Sequence, residues 1–585
     1  MCGIAGIVTA DGRPPDDSLL DRLTAGLAHR GPDGSGRHVR PGVGLVQTRL
    51  AIIDLEGGRQ PILDGAGRAI VANGEIYNYR ELRNELAGET FVTHSDCEPP
   101  LHLWRRRGAD FATGLRGMYA VALDDPQSGR VTLARDPFGI KPLYLTEGPF
   151  GLAFASEPQA LIAAGLAPAD LDPGRLAELL QVQFTTGTAT VFRGIRRLAP
   201  GETLVVERGR VVDRRRRDAL PEGGPLDGNP EVLLADLDRV LMESVDLHQR
   251  ADVPYGMFLS GGVDSSALLA AMARLNPRPV LAFTAGFPGT GVHDERDHAR
   301  ALAQAVGARH VEVEFGEADF WDLLPAVAAA MDDPAADYAC LPTFKLARQA
   351  RREVKVILCG EGGDELFGGY GRYRAAMRPW PLGRGMRRHG TFDGLEVLRS
   401  PLTDWRVGLA ASERDSRRPG RTRLQAAQAA DCADWLANDL LVKADRCLMA
   451  NGVEGRVPFL DPAVAAFAFR LPDALKVRQG MGKWLLRQWL HRALPVARPF
   501  DKKRGFTVPV AEWIARRPEI GQLVARQPLV ADLARPEAVE RLFRACDKKT
   551  GFACWTLLFY ALWHRRHVLG KMPRGDVFAE LADQV

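Results

Sequence analysis

Residues 253–275, VPYGMFLSGGVDSSALLAAMARL, predict a β-strand that passes through a glycine-rich turn into a helix. Strands and helices continue to alternate after this segment, in PVLAFTAGF (279–287), ERDHARALAQAVG (295–307), HVEVEF (310–315) and VKVILCG (354–360). Such alternation is typical of a doubly wound parallel sheet, which binds its ligand beyond the carboxyl ends of the strands. We therefore predict an α/β domain with the turn at its ligand-binding edge and a helical extension toward the C-terminus.

The turn itself, LSGGVDSS, has the composition of a phosphate-binding loop. Gly261 and Gly262, after Ser260, let backbone N–H groups close on phosphate oxygens, and Ser265 and Ser266 add hydroxyl donors. The helix that follows points its positive end at a bound anion. No Gly-Lys-Ser/Thr sequence follows the glycines, so the turn is not a Walker A loop, and alone it is weak evidence for a ligand.

Three charged residues are candidates for chemistry beside this turn. Asp264 lies within it and Asp364 lies in CGEGGDELFGGY (359–370), and together their carboxylates could hold Mg²⁺ on bound phosphates. Lys483, in GKWLLR (482–487), is a candidate to neutralise charge on a departing pyrophosphate. The plain alternatives are helix capping for Asp364 and an ordinary surface position for Lys483.

The N-terminal part of the chain has a different pattern, with short β-like runs separated by glycine, proline and aspartate turns. Runs such as RAIVANGEIYN (68–78) and MYAVALDD (118–125) predict a sheet-rich domain. The charged, proline-containing stretch DRRRRDALPEGGPLDGNP (213–230) predicts an exposed connector. The predicted organisation is a first domain over 1–210, a linker over 211–231 and a second domain over 232–585.

The chain begins MCGIAGIV, which places a cysteine directly after Met1. A thiol with a pKa of about 8.5 is mostly protonated at neutral pH, so a nucleophilic cysteine needs a base. Removal of Met1 would give Cys2 an α-amine with a pKa of about 7.7–8, which could be that base. A histidine such as His29 or His94 is the alternative base, and an inert cysteine in an edge strand is the plain alternative.

Other polar residues could complete a site for an α-amino acid with an acyl side chain. In NGEIYN (73–78), the Asn73 amide and the Gly74 backbone N–H could stabilise an oxyanion. Arg49 could bind a substrate carboxylate, and the carboxylates of Glu75 and Asp96 could bind its ammonium group.

These residues resemble the class II glutamine amidotransferase domain, which has the N-terminal nucleophile (Ntn) hydrolase fold, an αββα sandwich. The motifs that carry the resemblance are MCGIAGIV, HRGPDGSG (29–36), QTRLAIIDL (47–55), NGEIYNYREL (73–82), SDCE (95–98), RDPFGIKPLY (135–144) and FASE (154–157). The resemblance implies that the Cys2 thiolate attacks glutamine, that Asn73 and Gly74 form the oxyanion hole, and that glutamate and ammonia are released. It also implies a glutamine-binding set that comprises Arg49, the backbone of Leu50, Ala51, Ile52 and Ile53, Asn73, Gly74, Glu75 and Asp96.

The turn at 259–266 resembles the pyrophosphate-binding (PP) loop of the ATP pyrophosphatases. With RVPFLD (456–461) and KADRCLMANGVEG (443–455), the whole chain up to about residue 565 resembles the glutamine-hydrolysing asparagine synthetases. That resemblance implies ATP and Mg²⁺ as cofactors, aspartate as acceptor, an internal passage for ammonia, and a role for Glu361 in forming an acyl-adenylate. The ATP contacts it implies are the backbone of Leu259, the loop residues Ser260, Gly261, Gly262, Asp264, Ser265 and Ser266, and Ala285, Cys359 and Gly360.

Two departures from the family pattern affect this transfer. The family's SGEGSDE is CGEGGDE here, so Cys359 and Gly363 stand where hydroxyls are usual. A backbone contact survives that change, whereas a hydroxyl contact does not. Pro99 and Pro100 follow SDCE, and we expect them to shift the start of the helix there.

Composition excludes several classes of protein. With 77 Lys and Arg against 73 Asp and Glu, the net charge of +4 gives no nucleic-acid footprint. No apolar run or signal segment indicates a membrane, so we expect a cytoplasmic protein, with a homodimer left open. The eight cysteines form no CxxC pair. Three alternatives to asparagine synthesis remain: a different carboxylate acceptor, a cyclising synthetase that uses no external ammonia, and a nonenzymatic nucleotide sensor.

Overall fold

The computed structural model describes residues 2–292, 294–378, 385–501 and 507–583. Met1, whose removal we predict, lies outside the described residues. Within those ranges, none of the helices combines the length and the apolar composition needed to span a bilayer.

The first domain is built on two six-stranded antiparallel sheets. Its strands are β1 (Gly3–Thr9), β2 (Ser35–Arg40), β3 (Val43–Thr48), β4 (Ile62–Leu63), β5 (Ala69–Ile76), β6 (Gly117–Asp125), β7 (Arg130–Arg135), β8 (Tyr144–Gly148), β9 (Gly151–Ala155), β10 (Ile195–Arg197), β11 (Glu202–Glu207) and β12 (Arg210–Arg216). One sheet has the order β10-β8-β9-β1-β3-β2 and the other β12-β11-β7-β6-β5-β4.

The sheets pack face to face with helices outside them, which confirms the predicted αββα sandwich. The helices are α1 (Asp17–Gly26), α2 (Tyr79–Glu85), α3 (Pro99–Arg107), α4 (Pro158–Ala163) and α5 (Pro173–Val182). Ile4 and Val8 of β1 pack with Val71 of β5 between the sheets. Ile7 points to the opposite face and packs with Leu23 of α1. Because both faces of β1 are covered, its apolar run is continuous rather than alternating.

The two adjacent prolines do not obstruct the helix that they were expected to shift. Pro99 and Pro100 occupy the first turn of α3, directly after Glu98 at the N-cap. Proline fits there because the first N–H groups of a helix have no intrahelical partner. The Glu98 carboxylate instead accepts hydrogen bonds from the backbone of Val92 and Thr93.

The second domain contains the predicted doubly wound parallel sheet. Its strands are β13 (Tyr255–Phe258), β14 (Leu281–Gly286), β15 (Arg309–Glu314), β16 (Val356–Leu358) and β17 (Glu454–Arg456), in the order β15-β14-β13-β16-β17, and β18 (Val477–Arg478) and β19 (Met481–Gly482) form a separate hairpin. Met257, Phe283 and Ile357 of the sheet share one core with Leu241 and Leu268 of the flanking helices. The edge strand β17 was not predicted from the sequence.

Helices surround this sheet and continue to the C-terminal end of the described chain. They are α6 (Pro230–His248), α7 (Val263–Leu275), α8 (Arg296–Ala305), α9 (Glu317–Ala330), α10 (Cys340–Ala350), α11 (Gly363–Phe367), α12 (Gly371–Met377), α13 (Val407–Asp415), α14 (Arg423–Asp431), α15 (Leu441–Met449), α16 (Pro462–Phe469), α17 (Asp473–Lys476), α18 (Trp484–Ala493), α19 (Val510–Arg516), α20 (Ile520–Ala525), α21 (Pro528–Leu533), α22 (Pro536–Arg544), α23 (Gly551–His567) and α24 (Val577–Ala582). A π-helical segment, Cys432–Leu440, joins α14 to α15.

The segment predicted as a linker over 211–231 begins inside the first domain. Residues up to Arg216 belong to β12, which pairs with β11 at the edge of its sheet. At the other end, Pro230 already starts α6, whose N-cap Asn229 accepts a hydrogen bond from Glu231 N. The charge run at 213–216 is therefore an exposed edge strand, where charged side chains block pairing with other chains.

Candidate active sites

Cys2 lies at the start of β1, at the centre of the first sheet. It is 7% exposed, and its backbone nitrogen donates to Asn73 Oδ1 at 3.3 Å. Burial raises the pKa of the Cys2 thiol, while a hydrogen bond from the Leu50 backbone and the Arg49 guanidinium act in the opposite direction. Gly3 has no room for a side chain, since a Cβ there would lie 2.8 Å from Thr48 Oγ1.

Neither histidine considered as an alternative base is hydrogen-bonded to this thiol among the described residues. His29 Nε2 lies 3.0 Å from Glu157 Oε1, and the His94 side chain is exposed. Within the described chain, neither histidine is therefore placed beside the thiol by a hydrogen bond, and the Cys2 nitrogen itself donates to Asn73 Oδ1.

Asn73 and Gly74 lie next to each other on β5, as the oxyanion-hole hypothesis requires. The Asn73 Nδ2 group is 3.5 Å from Ser156 Oγ. On the same strand, the amides of Ala72 and Ile76 donate to the Gln60 and Asp96 side chains at 2.6 and 2.8 Å. Alternation along a strand directs the Gly74 N–H to that same edge.

Arg49 is buried, and its guanidinium donates to backbone carbonyls of its own loop. The acceptors are Asp54 O at 2.6 Å, Leu55 O at 2.8 Å and Ile53 O at 3.4 Å. In this structure Arg49 therefore holds the loop around the predicted glutamine-binding segment of Leu50, Ala51, Ile52 and Ile53. That segment is buried, and Ala51 N donates to Asp33 Oδ2 at 2.8 Å.

Glu75 and Asp96 form a pair of buried carboxylates, as the sequence hypothesis requires. Burial, and then the neighbouring charge of Asp96, raises the pKa of Glu75 well above its usual range, while Arg456 opposes the rise. Burial also raises the pKa of Asp96. Glu75 Oε1 has no hydrogen-bond partner among the described residues. An ammonium group placed between these carboxylates would favour their ionised forms.

Arg456 is a residue of this site that the sequence reasoning missed. Its Nη2 lies 3.3 Å from Glu75 Oε2, although it belongs to β17 of the second domain. The only signal in the sequence was its position in the RVPFLD motif, which says nothing about a partner so far along the chain.

The glycine-rich turn follows β13 and lines a cleft of about 630 Å³. Ser260 and Ser265 close the turn, since their hydroxyls are 3.1 Å apart and Ser265 Oγ donates to Gly262 O at 3.2 Å. Gly261 has a φ of +70°, a conformation that favours glycine. The Ser266 hydroxyl is buried at the cleft without a hydrogen-bond partner among the described residues, so it is a donor that a phosphate oxygen would satisfy.

Asp264, Asp364 and Lys483 meet beside this cleft. Lys483 Nζ contacts Asp364 Oδ1 at 2.7 Å and also contacts Asp264 Oδ2. Burial alone would lower the pKa of Lys483, but the two carboxylates raise it. The departure at Gly363 fits this arrangement, because a Cβ there would lie 2.5 Å from Asp264 Oδ1.

Mg²⁺ is compatible with these residues. Asp264 and Asp364 offer the oxygen donors that Mg²⁺ prefers, and Mg²⁺ in nucleotide sites takes its other ligands from phosphates and water. Within the described ranges, no group of three or more His, Cys, Asp or Glu side chains forms a complete metal site. The protein can therefore supply two ligands to a metal that arrives with its nucleotide.

The other predicted nucleotide contacts surround the same strand ends. Leu259 N donates to Phe283 O at 2.9 Å, and Ala285 is near the end of β14. Cys359 N donates to Arg456 O at 2.8 Å, and a Cβ on Gly360 would lie 3.1 Å from Asp264 Cβ.

Glu361 follows these residues, and its charge is affected by a nearby lysine that the sequence reasoning did not single out. Burial raises the pKa of Glu361, and the charge of Lys443 opposes the rise. Lys443 Nζ lies 2.8 Å from Asp337 Oδ2. Lys443 belongs to α15 and to the KADR motif (443–446), so a cation is available beside Glu361.

A buried ion-pair cluster joins the two domains behind Cys2. The guanidinium of Arg30 donates to Cys2 O at 3.2 Å, to Glu157 Oε1 at 2.7 Å and to both Asp445 oxygens at 2.8 and 3.0 Å. Although burial opposes it, the charges of Arg30 and Lys141 hold the pKa of Asp445 at about 2. The cysteine backbone is thus tied to α15, the helix that also carries Lys443.

Comparison with known proteins agrees with this division into two sites. Residues 236–565 match the asparagine synthase family, and residues 1–216 match the glutamine amidotransferase domain family. The chain is 32% identical to a Bacillus subtilis (strain 168) protein named glutamine-hydrolysing asparagine synthetase 1, over 96% of each chain. It is 35% identical to a provisionally named Mycobacterium tuberculosis (strain ATCC 25618 / H37Rv) asparagine synthetase, over 96% of this chain and 97% of that one. It is 28% identical to asparagine synthetase B of Escherichia coli (strain K12), over 90% and 86%.

Proposed function

The chain belongs to the family of glutamine-hydrolysing asparagine synthetases, ATP-dependent carbon–nitrogen ligases with glutamine as amido donor, and we propose that its own acceptor is aspartate. In the proposed reaction, glutamine is hydrolysed at Cys2, and ATP activates aspartate as β-aspartyl-AMP with release of diphosphate. Ammonia then displaces AMP and forms asparagine. Adenylation supplies the leaving group that a carboxylate lacks.

The glutaminase step uses the residues around the start of β1. The Cys2 nitrogen, as a free α-amine, accepts the thiol proton, and the thiolate attacks the glutamine carboxamide. Asn73 Nδ2 and the Gly74 N–H stabilise the oxyanion. Glu75 and Asp96 bind the substrate ammonium. Arg49 binds the substrate carboxylate, for which it must exchange at least one carbonyl contact of its loop.

The adenylation step uses the strand ends of the second domain. The turn after β13 and the Ser266 hydroxyl bind phosphate oxygens, and Lys483 neutralises charge on the departing diphosphate. Asp264 and Asp364 would hold Mg²⁺, which when bound neutralises phosphate charge. Glu361, with Lys443 beside it, faces the activated carboxylate and the arriving ammonia.

One observation carries the proposal: a complete set of glutaminase candidates and a complete set of adenylation candidates lie in one chain and meet across a buried contact. Arg30 bonds the Cys2 carbonyl on one side and Asp445 of α15 on the other. The backbone of Cys2 is therefore tied directly to the helix that carries Lys443, so the two sets of candidates adjoin at the domain boundary. A chain that used no glutamine would not require the first set, and a nonenzymatic sensor would not require Lys483 between two carboxylates.

The test is product identification with purified protein. With ATP, Mg²⁺, aspartate and glutamine labelled with ¹⁵N in its amide, we expect labelled asparagine, AMP and diphosphate in equal amounts. Cys2→Ala should abolish synthesis from glutamine and retain synthesis from ammonium, because the adenylation site is intact. Absence of asparagine with any nitrogen source, or its replacement by the amide of another supplied acid, would refute aspartate as the acceptor.

A further inference from the structure

The side chain of Arg456 crosses from the second domain into the predicted glutamine pocket. Its side chain donates three hydrogen bonds within the second domain: Nε donates to Glu454 Oε1 at 2.6 Å, and Nη1 donates to the carbonyls of His248 and Arg250 at 2.9 and 2.7 Å. The remaining nitrogen, Nη2, faces Glu75 Oε2 at 3.3 Å. Arg456 is fully buried, so this geometry is held by packing as well as by charge.

Glu75 depends on a nearby cation for its charge. Burial and Asp96 both favour its neutral form, and Arg456 is the first cation that opposes them. A substrate ammonium is bound strongly only by an ionised carboxylate. Glu75 Oε2 forms an ion pair with Arg456 Nη2, and neither Glu75 Oε1 nor Arg456 Nη2 has a hydrogen-bond partner among the described residues, so Oε1 can receive the ligand.

The backbone of the same residue reaches the nucleotide site. Arg456 O accepts the hydrogen bond from Cys359 N at 2.8 Å, and Arg456 pairs with Leu358 in the parallel ladder of β16 and β17. Cys359 and Gly360 are predicted ATP contacts. Arg456 therefore touches the glutamine pocket through its side chain and the nucleotide loop through its carbonyl.

We propose that Arg456 is a positioning residue that holds Glu75 ionised and oriented for the glutamine ammonium, so that the second domain completes the glutaminase pocket. The proposal rests on the proposed glutaminase step at Cys2. It does not depend on which acid is amidated.

The first test is Arg456→Lys, assayed by glutamate release without ATP or acceptor. Lysine keeps the charge but cannot reproduce the fork that reaches Glu75, Glu454 and two carbonyls together. We expect KM for glutamine to rise at least about tenfold, kcat to change less than about threefold, and ammonium-dependent synthesis to remain. Arg116→Lys is the matched control, because Arg116 also reaches the second domain, where it pairs with Asp461 at 2.6 Å. The KM of the Arg116→Lys protein for glutamine should stay at the wild-type value.

The second test is the pH dependence of glutamine KM. The titratable or charged groups that face Glu75 are Tyr77, Asp96 and Cys97 from the first domain and Glu454 and Arg456 from β17. With Arg456→Lys, Glu75 should ionise at higher pH, so the pH at which KM falls to its plateau should move upward. If Arg456 only stabilised the fold, the pH dependence of KM for glutamine would not change.

Two outcomes would overturn the inference. One is an Arg456→Lys protein with wild-type KM and pH profile. The other is a parallel loss of glutaminase and ammonium-dependent synthesis with a lowered melting temperature, which indicates damage to the whole fold. Failure of the proposed function is distinct, because it would appear as a wild-type protein that releases no glutamate.

Discussion

Asp445→Asn is the substitution whose effect follows most directly from the domain contact. Asp445 accepts two hydrogen bonds from Arg30 and lies 3.7 Å from Lys141 Nζ. Lowering its pKa from about 3.9 in the unfolded chain to about 2 in the folded protein contributes about 2–3 kcal/mol of stability at neutral pH. Asparagine also leaves the buried Arg30 with Glu157 as its one remaining carboxylate among the described residues, and breaking a buried pair costs about 3–5 kcal/mol. We expect a loss of about 3 kcal/mol at pH 7.

The pH dependence has a definite sign. The folded pKa of Asp445 is depressed, so its contribution is fully present above about pH 5 and is lost as pH falls through about 3.9 toward 2. Urea titrations followed by tryptophan fluorescence at pH 7, 5 and 3.5 measure the difference between the proteins. The difference should be equal at the first two values and smaller at the third.

An exposed ion pair provides the control. Asp21 pairs with Arg37, but its side chain is 70% exposed, so Asp21→Asn should cost less than about 1 kcal/mol. The Asp445→Asn protein should also release more glutamate than it forms amide, because the contact behind Cys2 is weakened. If Asp445→Asn is no more destabilising than Asp21→Asn, or if its effect grows toward low pH, the reasoning about this buried contact is refuted.

Two further predictions concern lysines of the second domain. Lys483→Met should lower the rate of diphosphate release about 10²–10³-fold, which is the scale for loss of one charge-stabilising group. Glutamate release without ATP should stay unchanged. Equal losses in both assays would contradict the placement of Lys483 at the adenylation site. Burial lowers the pKa of Lys476 to about 7. Between about pH 7 and 10.4 the unfolded chain therefore binds more protons than the folded protein, and the free energy of unfolding should rise with pH over that range. Lys476→Met should reduce this slope, as urea midpoints at pH 7 and pH 9 would show, and an unchanged slope would contradict the prediction.

Features encoded in short segments could be predicted from the sequence. The strand, turn and helix around the glycine-rich loop follow from local periodicity. Cys2, Asn73 and Gly74 each lie in a short motif, although they come together only because β1 and β5 face each other from the two sheets. The sequence also predicts Lys483 beside a phosphate site, and the structure shows it in contact with Asp264 and Asp364. In each case a short motif indicates both the candidate residue and the local structure around it.

Features that depend on contacts between distant segments could not be predicted. Nothing in the sequence near Glu75 indicates Arg456, and nothing near Glu361 indicates that the charge of Lys443 acts on it. The hydrogen bonds of Arg49 with its own loop were also missed, because a guanidinium suits carbonyls as well as carboxylates. Residues 213–216 were predicted as part of a linker but belong to the edge strand β12, because an exposed charged strand has the same composition as a connector.

The buried contacts across the domain boundary determine whether the two halves can exist apart. If the chain were cut between β12 and α6, Arg30 would lose Asp445 and Glu75 would lose Arg456. Arg30 would keep Glu157, but both residues would give up ion pairs that the folded chain buries, and removing one partner of a buried pair costs about 3–5 kcal/mol against a typical domain stability of about 5–15 kcal/mol. We therefore expect the amidotransferase half to lose stability when it is separated or grafted onto a synthetase that lacks these partners. Recombination within the family should succeed only when Arg30 and Asp445, and Glu75 and Arg456, are inherited together.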